Sequence, residues 1–401
     1  MEENERRTRI LTAVSVVLVA ALSALITAVY FLRYYERPAY TPLVEMAKTI
    51  EEQYYFADAD TTDERLIDNA LRGMIGGVGD AYAEYLTDAE YKELLEEDSA
   101  EYRGVGISVS TPGDQGSLIL RVYDGSPAFE AGVKAGDVIV SVNGKSSANL
   151  TMAEFLDTFT DGDDEADDIT CLRGGETYSV TLSKRTVYVP RVFCEQLADG
   201  KGFIRIEEFS GAVVTELSDA IGTLAGKGAK ALIIDLRNNP GGGLTEVLGT
   251  LDCILDKGDL IATVRNRSDR VETYRAERDG VDLPIAVLVN GNSASGSEMF
   301  SGALKDNGRA VIVGTQTFGK GIVQSYFRLR SNGGWVKLTT DAYYTPSGVC
   351  IHGTGITPDI VIDQPDPDGD GYVDFTELPH ADDVQLQEAI RQLDSKLNQG
   401  G

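Results

Sequence analysis

The sequence predicts a multidomain α/β protein: an N-terminal transmembrane helix, a helical segment, a mostly β domain, an α/β core, and an acidic C-terminal tail with a helix. Three observations predict it. Ile10 to Leu32 is a run of 23 residues without a charge. Residues 101–186 read as short strands and tight turns, with Asn143-Gly144 as a hairpin signal. From Gly202 to Gln364, strand-like apolar runs alternate with helical patterns, the mark of a layered α/β fold.

A chain of 401 residues is expected to hold two or three domains. Its net charge of -28 excludes the basic footprint of nucleic-acid binding and disfavours adhesion to anionic lipid. Cys171, Cys194, Cys253 and Cys350 show no metal-binding spacing; they allow three full pairings, or four ordinary thiols.

Residues 1–9 are expected as a cytoplasmic tail, because Arg6, Arg7 and Arg9 precede the apolar run. Residues 10–32 can span a bilayer at about 1.5 Å per residue. The run exceeds the ~7–15 apolar residues of a cleaved signal. The expectation is therefore an uncleaved anchor in the cell membrane with the remainder extracytoplasmic; a cleaved signal is the alternative. Residues 40–98 form a helical segment, with Thr62 and Asp63 as a cap and Gly76-Gly77 as a stop. In residues 101–186, Gly125-Ser126-Pro127-Ala128 opens a short helix, and the acidic stretch from Asp157 to Asp168 reads as a solvated loop.

The core, residues 187–363, carries the chemistry. Ile285 to Val289 reads as a buried strand, followed by a small-residue turn with Ser293, Ser295 and Ser297, and a helix from Gly296 to Lys305. Such a turn presents a hydroxyl at a helix N-terminus, where free N–H groups favour the oxyanion that a serine nucleophile creates. The base is either histidine or lysine. The chain has two histidines, His352 and His380, the second in the acidic tail. Lys320 sits between glycines in an apolar neighbourhood, which suits a lysine of lowered pKa. Strand alternation would put Gln324 on its face. A plainer reading makes Ser295-Gly296-Ser297-Glu298 a capping box. Upstream, a glycine loop at Gly241-Gly242 follows a buried strand; no G-K-[ST] follows, so it is no P-loop.

SASGSEMFSGAL followed by GTQTFGKGIVQ closely resembles the carboxyl-terminal processing peptidases (tail-specific proteases, peptidase family S41), serine endopeptidases with a serine–lysine dyad. The resemblance implies Ser295 as nucleophile, Lys320 as base and Gln324 as its orienting partner. DLRNNPGG matches a second motif, implying an oxyanion hole from the Gly241 and Gly296 N–H groups. SPA…AGVKAGDVIVSVNG resembles a PDZ domain of the circularly permuted type. There Gly104, Val105, Gly106 and Ile107 would bind the carboxylate of a substrate tail, and glycines in such a loop let N–H groups converge. The core is expected to be crotonase/Clp-protease-like. No cofactor is needed for catalysis, the partners are protein C-termini, and terminal helices can form a homodimer. YYTPSG and IHGTGITPD resemble the end-of-core signature and leave His352 a structural role; Val349-Cys350 departs from the expected polar pair. Two other functions share these features: a catalytically silent PDZ scaffold, and a crotonase-like enzyme acting on acyl thioesters.

Residues 364–401 hold one feature foreign to that family. DPDGDGYVDFTE fits the calcium-loop template, with Asp366, Asp368, Asp370, the Tyr372 carbonyl, Asp374 and Glu377 as ligands and Gly371 at the turn. Pro365 and Pro379 argue against flanking helices, so a structural calcium site and a disordered acidic linker are both open. Val384, Leu386, Ile390, Leu393 and Leu397 then mark one face of a terminal helix.

Overall fold

The computed structural model describes residues 2–35, 40–56, 63–159, 166–366, 373–376 and 378–399. The chain divides into two compact units, Met1–Tyr85 and Leu86–Gly401.

The first unit holds α1 (Glu2–Tyr35), α2 (Thr41–Gln53) and α3 (Asp63–Gly76). Arg9–Tyr30 within α1 is long and apolar enough to cross a membrane, with mean hydropathy 2.5. A signal sequence and an anchor both meet that criterion. Thr62, expected as a cap, lies outside the described residues. Pro42 starts α2, where a missing N–H costs no helix hydrogen bond. Tyr85 ties back to α3: its hydroxyl donates to Asp68 at 2.6 Å, and its carbonyl accepts from Arg72 at 3.1 Å. Strand β1 (Glu84–Leu86) leads into the second unit.

There α4 (Asp88–Asp98) is started by a capping box between Thr87 and Glu90. Then β2 (Glu101–Gly104) pairs with β9 (Arg185–Tyr188), closing off a β domain. Its sheet runs in the order β3 (Ile107–Val109), β4 (Ser117–Val122), β5 (Val138–Val142), β7 (Ala166–Arg173), β8 (Glu176–Ser183), with β6 (Lys145–Ser146) on β5. Two short helices, α5 (Pro127–Glu130) and α6 (Met152–Leu156), complete it. Asn143 takes φ +50° and Gly144 φ +76°, the positive values that the predicted Asn-Gly hairpin turn requires. The domain has its own core around Ile119, Ile139, Phe155 and Ile169. Arg121 on β4 docks it onto the rest, pairing with Glu207 at 2.7 Å and lying 4.7 Å from the Phe193 ring centre.

The remainder is an α/β layer structure. One sheet runs β10 (Val192–Gln196), β11 (Gly202–Ile206), β12 (Leu232–Asp235), β15 (Ile285–Val289), β16 (Ala310–Gly314), β19 (Ile360–Val361). All pairs are parallel except β10 with β11. Strand residues alternate between two cores. Ile204, Ile234, Val287 and Ile312 face α7 (Val213–Gly226), α8 (Leu244–Leu251) and α9 (Gly296–Asp306). Phe203, Ile233, Leu288 and Val313 face α10 (Val384–Gln399). Burial on both faces explains why these strands are continuously apolar. The apolar face of α10, with Leu386, Ala389 and Leu393, is thus covered by its own chain. A second, antiparallel sheet joins β14 (Val271–Arg275), β13 (Leu260–Asn266), β18 (Trp335–Tyr344) and β17 (Ile322–Arg328).

Candidate active site

Parallel β15 delivers the chain to a tight turn, and α9 leaves from it. Of the three serines there, two are structural. Ser293 Oγ donates to the Leu236 carbonyl at 2.7 Å, and Ser297 Oγ to the Asn239 carbonyl at 3.0 Å. Ser295 is the exception: it lines a cleft of about 430 Å³, together with Lys320, Gln324, Gly242 and Gly296. Its backbone sits at φ +51°, ψ -109°. A non-glycine residue held there stores on the order of 1–3 kcal/mol of strain, which persists only where the surroundings enforce it.

The enforcement is visible. Glu298, fully buried, accepts the Ser295 N–H at 2.9 Å on one carboxylate oxygen. The same oxygen takes the Lys320 N–H at 2.7 Å; the other takes the Gly319 N–H at 2.7 Å and the Thr317 hydroxyl at 2.6 Å. From the opposite side, the Tyr343 hydroxyl lies 2.8 Å from the Ser295 carbonyl oxygen and 3.1 Å from that of Lys320. Burial pushes the Tyr343 hydroxyl well above its usual pKa, so it stays a donor. The backbones of Ser295 and Lys320 are therefore clamped by one carboxylate and one phenol. The capping box expected from the sequence is present between Ser295 and Glu298, and the Glu298 N–H also donates to the Ser295 carbonyl at 3.0 Å.

Lys320 does not lie on a strand, as alternation assumed. β17 starts at Ile322, and its register shifts between Val323 and Gln324. Gly319, at φ +94°, turns the chain out of the strand conformation, and Gly321 packs so close to the His352 backbone that a Cβ would come within 2.5 Å of its nitrogen. Lys320 and Gln324 still reach the same cleft. The Gln324 Nε2 is buried there without a hydrogen-bond partner.

The glycine loop meets the Ser295 turn closely. A Cβ on Gly241 would lie 2.7 Å from the Gly296 nitrogen and 2.9 Å from the Ser295 Cβ, so only glycine fits. The Gly241 N–H, expected to face an oxyanion, instead donates to the Asn239 side chain at 2.8 Å. The Gly242 nitrogen also lies close to the turn, 3.3 Å from where a Gly296 Cβ would be. His352 is exposed and does not line the cleft.

A model of peptidase family S41 matches residues 200–362, and a PDZ-domain model matches residues 118–158. A carboxy-terminal-processing protease of Bartonella bacilliformis is 32% identical over 368 residues, covering 84% of this chain and 84% of that protein. The chain belongs to the carboxy-terminal-processing proteases of family S41, which are serine peptidases. A Staphylococcus aureus protein named as a CtpA-like serine protease is 35% identical over 79% of this chain; the chain spans 64% of its length. A solved structure assigned to the S41 proteases, from Bacteroides fragilis, shares the fold at TM-score 0.54 and 17% identity, covering 88% of this chain and 97% of that one.

In this S41 chain the predicted tail-binding residues Gly104, Val105 and Ile107 line a groove of about 370 Å³ with Phe155, Leu156 and Phe159. Gly106 adjoins them at φ +85°. Sequence reasoning missed Tyr102, which lines the same groove; its ring leaves no room for a Cβ on Gly104. Of the calcium-loop residues, Asp368, Asp370, Gly371, Tyr372 and Glu377 lie outside the described residues. Asp374 accepts the N–H and hydroxyl of Thr376 at 2.8 and 2.6 Å. Among the described residues, no cluster of His, Cys, Asp or Glu is placed to hold a metal ion. All four cysteines are free thiols.

Proposed function

We propose that this chain is a membrane-tethered serine endopeptidase that cleaves extracytoplasmic proteins near their C-termini with a Ser295–Lys320 dyad. The observation that carries the reading is the single cleft lined by Ser295, Lys320, Gln324, Gly242 and Gly296. The substrate's terminal carboxylate docks at Gly104–Ile107 and its chain pairs along the groove. The neutral Lys320 amine, oriented by the Gln324 amide, takes the proton from Ser295 Oγ. Ser295 attacks the scissile carbonyl, and the Gly296 N–H with an N–H of the Gly241–Gly242 loop holds the oxyanion. Protonated Lys320 returns its proton to the leaving amine, and water then releases the acyl group. The core is read as crotonase/Clp-protease-like, and the apolar N-terminal helix as the anchor. The acidic tail is read as a structural calcium loop, which calorimetric titration of the full chain with calcium checks.

The test is to incubate the full-length chain in detergent micelles with an unfolded protein bearing an apolar C-terminus, with Ser295→Ala alongside, and to identify fragments by mass spectrometry. Cleavage by the parent alone is expected. Tail-dependent binding by both without cleavage would favour the scaffold, and coenzyme A binding the acyl-thioester enzyme.

A further inference from the structure

The S41 family match ends at residue 362, yet the chain beyond it returns to the active-site loop. Arg237, just after β12, is fully buried between two carboxylates. Asp235 accepts its Nε and Nη2 at 2.8 Å each, and Asp383 accepts Nη1 and Nη2 at 2.9 and 2.7 Å. Gln385 adds an acceptor at 3.1 Å. The Phe375 ring covers the guanidinium, with its centre 3.7 Å away. One residue on, Asn238 is held at φ +60° while its side chain donates to the Val373 carbonyl at 2.9 Å.

The same loop grips the nucleophile turn from its other side. Leu236 and Asn239 offer carbonyls to Ser293 and Ser297, and the Ala294 N–H donates to the Asn239 carbonyl at 3.1 Å. Residues 236–242 are thus held between Ser295's turn and a C-terminal layer made by Val373, Phe375, Asp383 and Gln385. Burial alone would raise the Asp235 pKa, but the Arg237 and Arg205 charges outweigh it and hold the carboxyl below its ordinary range. A buried, fully paired charge cluster has few alternative geometries, which is what a loop aiming N–H groups needs.

We infer that the layer of Val373, Phe375, Asp383 and Gln385 is a strap that sets the geometry of the oxyanion loop, with Phe375 and Asp383 as positioning residues for the reaction at Ser295. Phe375 can be tested apart from folding. The terminal helix has its own attachments: Leu386, Ala389 and Leu393 in the sheet core, and the buried Lys201, whose amine donates to Asp394 at 2.6 Å. The inference rests on Ser295 as nucleophile.

The experiment compares full-length wild type, Phe375→Ala, Phe375→Tyr and Asp383→Asn in detergent. It reads kcat and KM on a peptide, the inhibition constant of a peptide boronic acid, whose serine adduct is a tetrahedral anion, and Tm. Phe375→Ala is expected to lower kcat by ~10-fold or more with KM little changed, the size of effect that a misaimed loop produces. Boronate affinity falls by the same factor, Tm by only about 4 °C, and Phe375→Tyr restores both constants. Asp383→Asn changes them in the same direction. Unchanged kcat and boronate affinity in Phe375→Ala would overturn the strap. So would losses matched by an equal loss of titratable active sites, since that marks a purely structural role. A wild type that forms no adduct at Ser295 would overturn the nucleophile assignment, and the strap with it.

Discussion

The proposed catalytic cleft and the proposed tail groove would both meet peptide with backbone N–H groups, but they are built differently. In the cleft, every loop is tied to another: Glu298 joins α9 to the Lys320 loop, Tyr343 joins β18 to both, and Asn239 joins the glycine loop to Ser297. The groove's loop is held instead by its own domain, mostly through backbone: the Gly106 carbonyl accepts from the Tyr123 N–H at 3.0 Å and the Ser126 hydroxyl at 3.3 Å, and the Val105 carbonyl from the Ala128 N–H at 3.0 Å. Its loop ends in Gly106 at φ +85°, and Leu156 on its wall is 57% exposed. Chemistry that builds charge requires donors fixed before the reaction, whereas tail binding tolerates adjustment and gains from accessible apolar surface.

That contrast can be broken or sharpened by substitution. The largest effect is expected for Ser295→Ala and Lys320→Arg, each lowering kcat by ~10⁴-fold or more on peptide substrates, since a guanidinium cannot be deprotonated to act as base. Glu298→Gln comes next. Its amide would face N–H donors with a donor of its own, and a displaced dyad costs ~10²-fold in kcat. Tyr343→Phe removes one hydroxyl worth about 0.5–1.5 kcal/mol, so kcat should fall no more than about tenfold. In the groove, Leu156→Asp should raise KM for tailed substrates about fivefold through lost apolar contact, with kcat on a tail-free peptide unchanged.

The smallest effect concerns pH. Asp137 in the PDZ domain accepts Arg173 Nε at 2.6 Å and the Tyr178 hydroxyl at 2.6 Å. Burial works against its charge, but these partners hold its pKa down to about 2. A carboxyl depressed on folding stabilises above its unfolded pKa, and that contribution disappears as pH falls from about 4 towards 2. Arg173 is partly exposed, so screening leaves about 1 kcal/mol. Acid unfolding of Asp137→Asn should lack that increment.

Much of this was legible in the sequence because it is local. The strand–turn–helix around Ser295, the Asn143-Gly144 hairpin and the apolar strands each follow from neighbouring residue types. The S-x-x-E pattern revealed Glu298, but only as a cap. Its other donors, Thr317, Gly319 and Lys320, lie about twenty residues downstream and nothing in the local pattern links them. The Arg237–Asp383 pair spans 146 residues and was invisible for the same reason. Asn239 capturing the Gly241 N–H was missed because glycine spacing indicates where backbone can approach, not which N–H stays free.

The most direct test of the clamped dyad is labelling of the full-length chain with a fluorophosphonate, with the site located by peptide mapping. Wild type, Ser295→Ala, Lys320→Ala and Glu298→Gln would be compared at equal folded fraction. The account predicts one phosphonylated residue, Ser295, no label in Ser295→Ala, and labelling slowed by ~10²-fold or more in the other two. Label on another residue, or labelling of Ser295 at an undiminished rate without Lys320 or Glu298, would contradict it.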